Sequence, residues 1–77
     1  MTTSEVEQEW LRAVGLRIRL SRVMTRETQD ELAERAGVSR VTLGSIERGE
    51  HPAVVLTYVR LARVLGLSLD ELLAGVL

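Results

Sequence analysis

Apolar residues recur along this chain at spacings of three and four and show no sustained alternation. A period near 3.6 marks helices with one buried face, whereas half-buried strands repeat every second residue. The first helix is expected over about residues 5–23, opened by a capping box in which Ser4 and Glu7 stand three apart. Thr28 and Glu31 form a second box, and the helix they open turns Leu32, Ala33 and Ala36 inward. Gly37 follows where a helix end turns left-handed. Ser39 is placed to cap a third helix over about 40–48, with Leu43 and Ile46 on its inner face and Gly49 at its end. Pro52 sits in the next loop. A fourth helix over about 54–65 carries a stripe of Val55, Tyr58, Val59, Leu61, Ala62 and Leu65, and Gly66 stops it. Ser68 and Glu71 make a third box, opening a short terminal helix through Leu72 and Leu73. The pattern predicts an all-α, compact five-helix bundle joined by short loops.

Composition narrows what such a bundle can do. At 77 residues, a single domain over 1–77 is expected. Hydrophobic residues make up 45% of the chain, with no Phe and only Trp10 and Tyr58 as aromatics. The core must be aliphatic, drawn from thirteen Leu, ten Val and two Ile. Trp10 is read as an anchor in the core or at an interface. With no cysteine, a disulfide scaffold, a thiolate metal site and a cysteine nucleophile are excluded. His51 cannot build a metal site alone and is read as a solvent-exposed loop residue. No cofactor is expected, and the chain is not expected to be an enzyme. No apolar run approaches the ~18 residues of a membrane span. Glu5, Glu7 and Glu9 stand where a signal peptide would be basic, so a cytoplasmic location is expected.

The formal net charge is −1, but the charges are segregated. Arg12, Arg17, Arg19, Arg22 and Arg26 fall between residues 12 and 26 with no acid among them. On a helix, Arg12, Arg19, Arg22 and Arg26 share one sector. Two readings stand for it: a solvated helix face, or a phosphate-facing patch in which the planar guanidinium suits the anion.

The informative segment is about 28–49, TQDELAERAGVSRVTLGSIERG. Two helices flank a short glycine-containing turn, a device that sets helices at a steep angle. Ala33 is small where the second helix must cross, and Val38 can plug the gap. Leu43 and Ile46 pin the second helix to the body. Arg40, Val41, Ser45 and Arg48 are left on a face with nothing of their own to pack on. A helix held this way can enter the DNA major groove.

With Arg19 and Arg22, Thr28-Gln29, Leu32-Ala33, Gly37-Val38-Ser39, Leu43, Ile46-Glu47-Arg48-Gly49, Leu61-Ala62, Leu65-Gly66 and Asp70-Glu71-Leu72 in register, the sequence resembles the helix-turn-helix DNA-binding proteins of the phage-repressor and Cro type, the XRE family. The resemblance covers about residues 14–73 and implies a lambda-repressor-like fold. It implies that Gln29, at a helix N-terminus, donates to a phosphate. Arg40 falls at a base-reading position and has the chemistry for bidentate contact with guanine. Val41 is implied in apolar contact with a thymine methyl, and Ser45 at another base-facing position. Thr42 and Arg48 are implied to hold phosphates, with Arg19 and Thr28 completing the DNA-facing set. Ser39 serves as cap, phosphate ligand or both. Arg22 and Glu47 match an internal ion pair. Gly44 lies inside the recognition helix, where glycine costs ~1 kcal/mol against alanine. Three positions depart from the family pattern: Glu27 where an apolar residue is usual, Arg26 where glycine is frequent, and Val54 where serine often caps.

The resemblance also implies a homodimer on a palindromic operator, because one such domain reads too few base pairs to be selective. The interface is expected in the C-terminal region, about 66–77, through Leu69, Leu72, Leu73, Val76 and Leu77, with Val54 or Tyr58 contributing. The implied function is a transcriptional regulator, repressor or activator, such as a restriction–modification controller protein. Glu31, Glu34 and Glu50 are candidates for an acidic patch that meets RNA polymerase. The alternative of another class is an antitoxin-like module that uses the same fold to bind a toxin or other protein.

Overall fold

The computed structural model describes residues 2–50 and 52–76. The expectations for His51 and Leu77 therefore lie outside the described residues. Five helices follow one another: α1 Thr3–Met24, α2 Gln29–Ala36, α3 Arg40–Glu47, α4 Val55–Leu65 and α5 Leu69–Leu72. Among the described residues there is no strand. No helix there is long and apolar enough to cross a membrane.

Each helix supplies one fully buried aliphatic side chain: Ile18 from α1, Leu32 from α2, Leu43 from α3, Leu61 from α4 and Leu72 from α5. Val14, Ala33, Ala36, Ile46 and Ala62 fill the space between them. Burying one such side chain favours folding by roughly 1.5–3 kcal/mol. A core built of one anchor per helix joins all five elements in one cluster.

Local chemistry sets the helix bounds. Thr28 Oγ1 accepts from the Glu31 amide at 3.1 Å, and the Thr28 amide donates to Glu31 Oε1 at 2.9 Å. Ser68 and Glu71 repeat the arrangement at 3.0 Å in both directions. These amide donors hold the Glu31 and Glu71 carboxyls below their ordinary pKa. The first helix begins earlier than expected. Thr2, not Ser4, is its cap, pairing with Glu5. Both pairs have the box spacing, and the earlier one gains further helical hydrogen bonds. Val54 precedes α4 without any side-chain cap bond.

Four helices end in one way. A residue turns left-handed, and the amide after it reaches back five positions. The reaching pairs are Glu27 to the Arg22 carbonyl, Val38 to Ala33, Glu50 to Ser45 and Leu67 to Ala62, at 2.9–3.1 Å. The left-handed residue is glycine at 37, 49 and 66, but after α1 it is Arg26, at φ 60°. The departure at position 26 thus falls on the one turn that most favours glycine.

The helices cross closely where side chains vanish. A Cβ on Gly15 of α1 would lie 2.8 Å from the Glu47 carbonyl oxygen and collide harder with that of Ile46. One on Gly49 would lie 2.7 Å from the Arg12 backbone. Two arginines then stitch the periphery: Arg17 donates to the Leu72 carbonyl at 3.0 Å, and Arg35 to that of Val64 at 2.9 Å. Arg35 also pairs with Glu27 at 2.8 Å. The acid at position 27 is therefore held by charge where the family pattern uses apolar packing.

Three packing expectations are corrected. Val55 and Val59 do not join the α4 stripe; they are 69% and 37% exposed. The helix turns its Tyr58, Leu61, Ala62 and Leu65 side inward, and 100° steps carry Val55 and Val59 to its margin. Of the two readings of Trp10, the core one is overturned: the residue is 40% exposed, on a first part of α1 that is exposed almost throughout, which leaves the interface reading as it stood. Trp10 lines a groove of about 590 Å³ with Leu11, Pro52, Tyr58 and Val76. Leu72, expected at an interface, is fully buried within the chain. Leu73 and Val76 also pack on the core, while Leu69 stays 36% exposed.

Candidate nucleic-acid interface

The site is built outward from Glu47. This residue ends α3, and its side chain is 3% exposed. A carboxylate so buried must be compensated. Arg22 of α1 reaches it with Nε at 2.7 Å and Nη2 at 2.9 Å, a two-pronged pairing. The third Arg22 nitrogen donates to the Glu27 carbonyl at 2.9 Å. The hydrogen bond to Glu47 raises the Arg22 pKa, and the charge of Glu47 adds to it against the cost of burial. Gln29 of α2 completes the cluster, its Nε2 donating to Glu47 Oε1 at 3.1 Å. One carboxylate thus ties three helices together. Among the described residues, no buried side-chain polar atom lacks a partner.

With Leu43, Ile46 and Glu47 turned inward, α3 presents the opposite side to solvent. Val41 is 78% exposed, and the Arg40 and Arg48 side chains are 63% and 59% exposed. Thr42 is exposed and Ser45 half-buried. Val41, Thr42 and Ser45 rim a shallow depression of about 300 Å³ closed by Pro52 and Ala53. Tyr58 fixes that loop, its hydroxyl accepting from the Ala53 amide at 3.2 Å.

Several side chains already have local partners. Ser39 Oγ accepts from the Thr42 amide at 3.0 Å and donates to Thr42 Oγ1 at 2.8 Å. Thr42 keeps its own hydroxyl proton to donate. Thr28 is occupied in its capping box. Arg48 donates to Glu50 through Nε at 2.6 Å and Nη2 at 3.2 Å, and that bond raises its pKa. Arg40 Nε lies 3.3 Å from Asp30 Oδ1. Gly44 is buried under Arg48, whose Nη1 would lie 3.1 Å from an added Cβ. Arg19 is exposed on α1, three residues before Arg22. Of the three acids considered for a polymerase patch, Glu31 closes the α2 cap, Glu50 pairs with Arg48, and Glu34 is exposed.

Sequence reasoning did not single out Gly15, Arg35 or Asp30. The pattern held no signal for Gly15 or for the bond from Arg35 to Val64, because those partners lie 29 or more residues away. Asp30 stood inside the Thr28–Glu31 capping box with no role of its own.

A helix lodged by its inner face, with a helix joined before it through a short turn at Gly37 and a polar and cationic outer face, defines a helix-turn-helix protein. The comparisons agree. Residues 26–72, well over half of the chain, match the family described as helix-turn-helix, and the chain belongs to that family. It is a family of binding proteins, not enzymes. The chain is 50% identical over 40 residues to an uncharacterized HTH-type transcriptional regulator of Methanothermobacter thermautotrophicus. That match spans 51% of this chain and 56% of the regulator's length. The fold is similar to the crystal structure of the restriction-modification controller protein C.AhdI from Aeromonas hydrophila, with a TM-score of 0.76 and 31% identity. The match covers 80% of this chain and 94% of that one.

Proposed function

We propose that this chain is a sequence-specific double-stranded DNA-binding transcriptional regulator that acts as a homodimer on a palindromic operator. The observation that carries the reading is the lodging of α3. Leu43 and Ile46 are buried and Glu47 is clamped from two helices, so the exposed Arg40–Val41 edge is held rigid. Rigid presentation is what readout of base edges requires. Arg40 reads guanine, Val41 meets a thymine methyl, and Ser45 faces a further base. Thr42, Arg48 and the N-terminus of α2 at Thr28 and Gln29 hold phosphates, with Ser39 and Arg19 beside them. The resemblance to a controller protein supports reading it as a compact regulator whose control resides in concentration and dimerisation.

The dimer reading moves to α4. Val54, Val55, Leu56 and Val59 are exposed at 71, 69, 56 and 37%, beside the loop that follows α3. Pairing this face about a two-fold axis hides the apolar patch, and a two-fold dimer carries two recognition helices to two half-sites. Leu72 takes no part, being fully buried within the chain. Replacing Leu56 with Asp shifts sedimentation to the monomer mass and weakens DNA binding. A variant that stays dimeric refutes this face.

The test of function is selection from a random duplex pool at moderate salt. Enrichment of a palindrome with half-sites about one turn apart supports the reading. A partner-binding module, antitoxin-like, is favoured by a separate observation. Leu16, Leu20, Val23 and Met24 form an outward stripe on α1, exposed at 50, 52, 53 and 82%. No enrichment from a folded, dimeric protein selects that alternative.

A further inference from the structure

We infer that Asp30 is a positioning residue for base readout, holding the guanidinium of Arg40 so that its terminal fork faces the DNA. The inference rests on the reading of α3 as the recognition helix. Arg40 is the first residue of α3, and Asp30 is the second of α2. The turn between the helices brings Asp30 Oδ1 to 3.3 Å from Arg40 Nε. A guanidinium can offer a bidentate pair along its side, through Nε and one Nη, or at its end, through Nη1 and Nη2. A carboxylate at Nε covers the side and leaves the end. Guanine presents O6 and N7 as two acceptors that suit such a fork.

Arg48 makes the contrast. Glu50 takes both its Nε and its Nη2, and its Nη1 lies over Gly44. No open fork remains there, which suits a phosphate contact better than base readout. Of Arg40, which opens α3, and Arg48, which caps its end, only Arg40 keeps a complete pair of terminal donors. Asp30 is itself 75% exposed, so its pair with Arg40 adds little to the stability of the free fold. Its effect belongs to the complex, where water is displaced and the orientation of a long side chain decides which base is accepted.

A carboxylate near the interface has a second effect that a positioning role must be separated from. It repels phosphates and weakens binding to every sequence alike. The experiment compares wild type, Asp30→Ala, Asp30→Asn, Arg40→Ala and the Asp30→Ala/Arg40→Ala double variant. Each is titrated by fluorescence anisotropy against the selected duplex, a panel of single base-pair changes in it, and a random-sequence duplex. Arg40→Ala identifies the base pair at which discrimination vanishes. At that same pair Asp30→Ala is expected to lose roughly tenfold discrimination, and the double variant no more than Arg40→Ala alone. Binding of the random duplex tightens several-fold in Asp30→Ala, with a steeper salt dependence. Asp30→Asn keeps an acceptor at Nε and is expected to retain part of the discrimination while sharing the tighter random binding. Uniform tightening across the panel, with discrimination at the Arg40 base pair intact, overturns the inference while leaving the DNA-binding reading standing. Failure of wild type to select any sequence removes that reading and the inference with it.

Discussion

Removing the Arg22 side chain offers the sharpest test of how α3 is held. Arg22→Ala deletes three hydrogen bonds, two to Glu47 and one to the Glu27 carbonyl. The Glu47 carboxylate, with its side chain 3% exposed, is left with Gln29 as its remaining side-chain donor, at 3.1 Å. Breaking one side of a buried pair typically costs 3–5 kcal/mol. Gln29 persists and the Arg22 site is 13% exposed, so water can enter the gap. We therefore expect a loss at the low end, about 3 kcal/mol. A domain of this size has roughly 4–12 kcal/mol in total, from about 0.05–0.15 kcal/mol per residue. The variant should thus unfold at much lower urea, with a midpoint temperature lower by about 12–24 °C. The assay is urea and thermal unfolding followed by the helical circular dichroism signal. The companion variant Arg22→Met/Glu47→Leu replaces both charges with apolar groups and should recover most of the loss. The reasoning fails if Arg22→Ala costs less than about 1 kcal/mol, or if the double variant is worse than the single one.

Other outcomes follow from the same geometry. Gly15→Ala forces a Cβ into the Ile46 and Glu47 carbonyls, which belong to a crossing helix and cannot step aside cheaply; it should cost about 3 kcal/mol, whereas Gly44→Ala meets the flexible ends of Arg48 and Gln29 and should be tolerated in thermal melts. Arg26→Gly relieves a left-handed residue and should stabilise by about 1 kcal/mol, read as a higher urea midpoint. In acid, Glu31 and Glu71 have folded pKa values below the ordinary ~4.3, so their caps stabilise above that pH and the contribution is lost as pH falls through the folded values. The urea midpoint should drop on going below about pH 4, and the drop should shrink in Glu31→Gln/Glu71→Gln.

Much of this architecture was legible along the chain because its punctuation is local. A capping box or a left-handed glycine acts within five residues, so Thr28, Gly37, Ser39, Gly66 and Ser68 were readable in place. The same locality misled at the start, where Thr2–Glu5 and Ser4–Glu7 have identical spacing and only the number of turns gained separates them. What escaped was set by distance. Nothing near Arg17 announces the Leu72 carbonyl, and nothing near Gly15 announces that α3 passes over it. The inner face of α4 was misjudged at Val55 and Val59, because the run Val54-Val55-Leu56 blurs which arc points inward. Arg22 and Glu47 came from the family resemblance rather than from any period. Asp30 needed the turn to be folded before its neighbour could be known.

One anchor per helix also bears on how this protein could be re-engineered. Helices of eight residues are too short to persist alone in water, since isolated helices below about 12–15 residues are marginal. The exposed edge of α3 exists only while Ile18, Leu32, Leu43, Leu61 and Leu72 meet. A peptide copied from residues 40–47 would carry the letters of the recognition surface without its shape. On the proposed reading of α3, altered specificity is to be sought by exchanging Arg40, Val41 and Ser45 in place, with the five anchors untouched. The scaffold and the surface it displays are separable residue by residue, but not segment by segment.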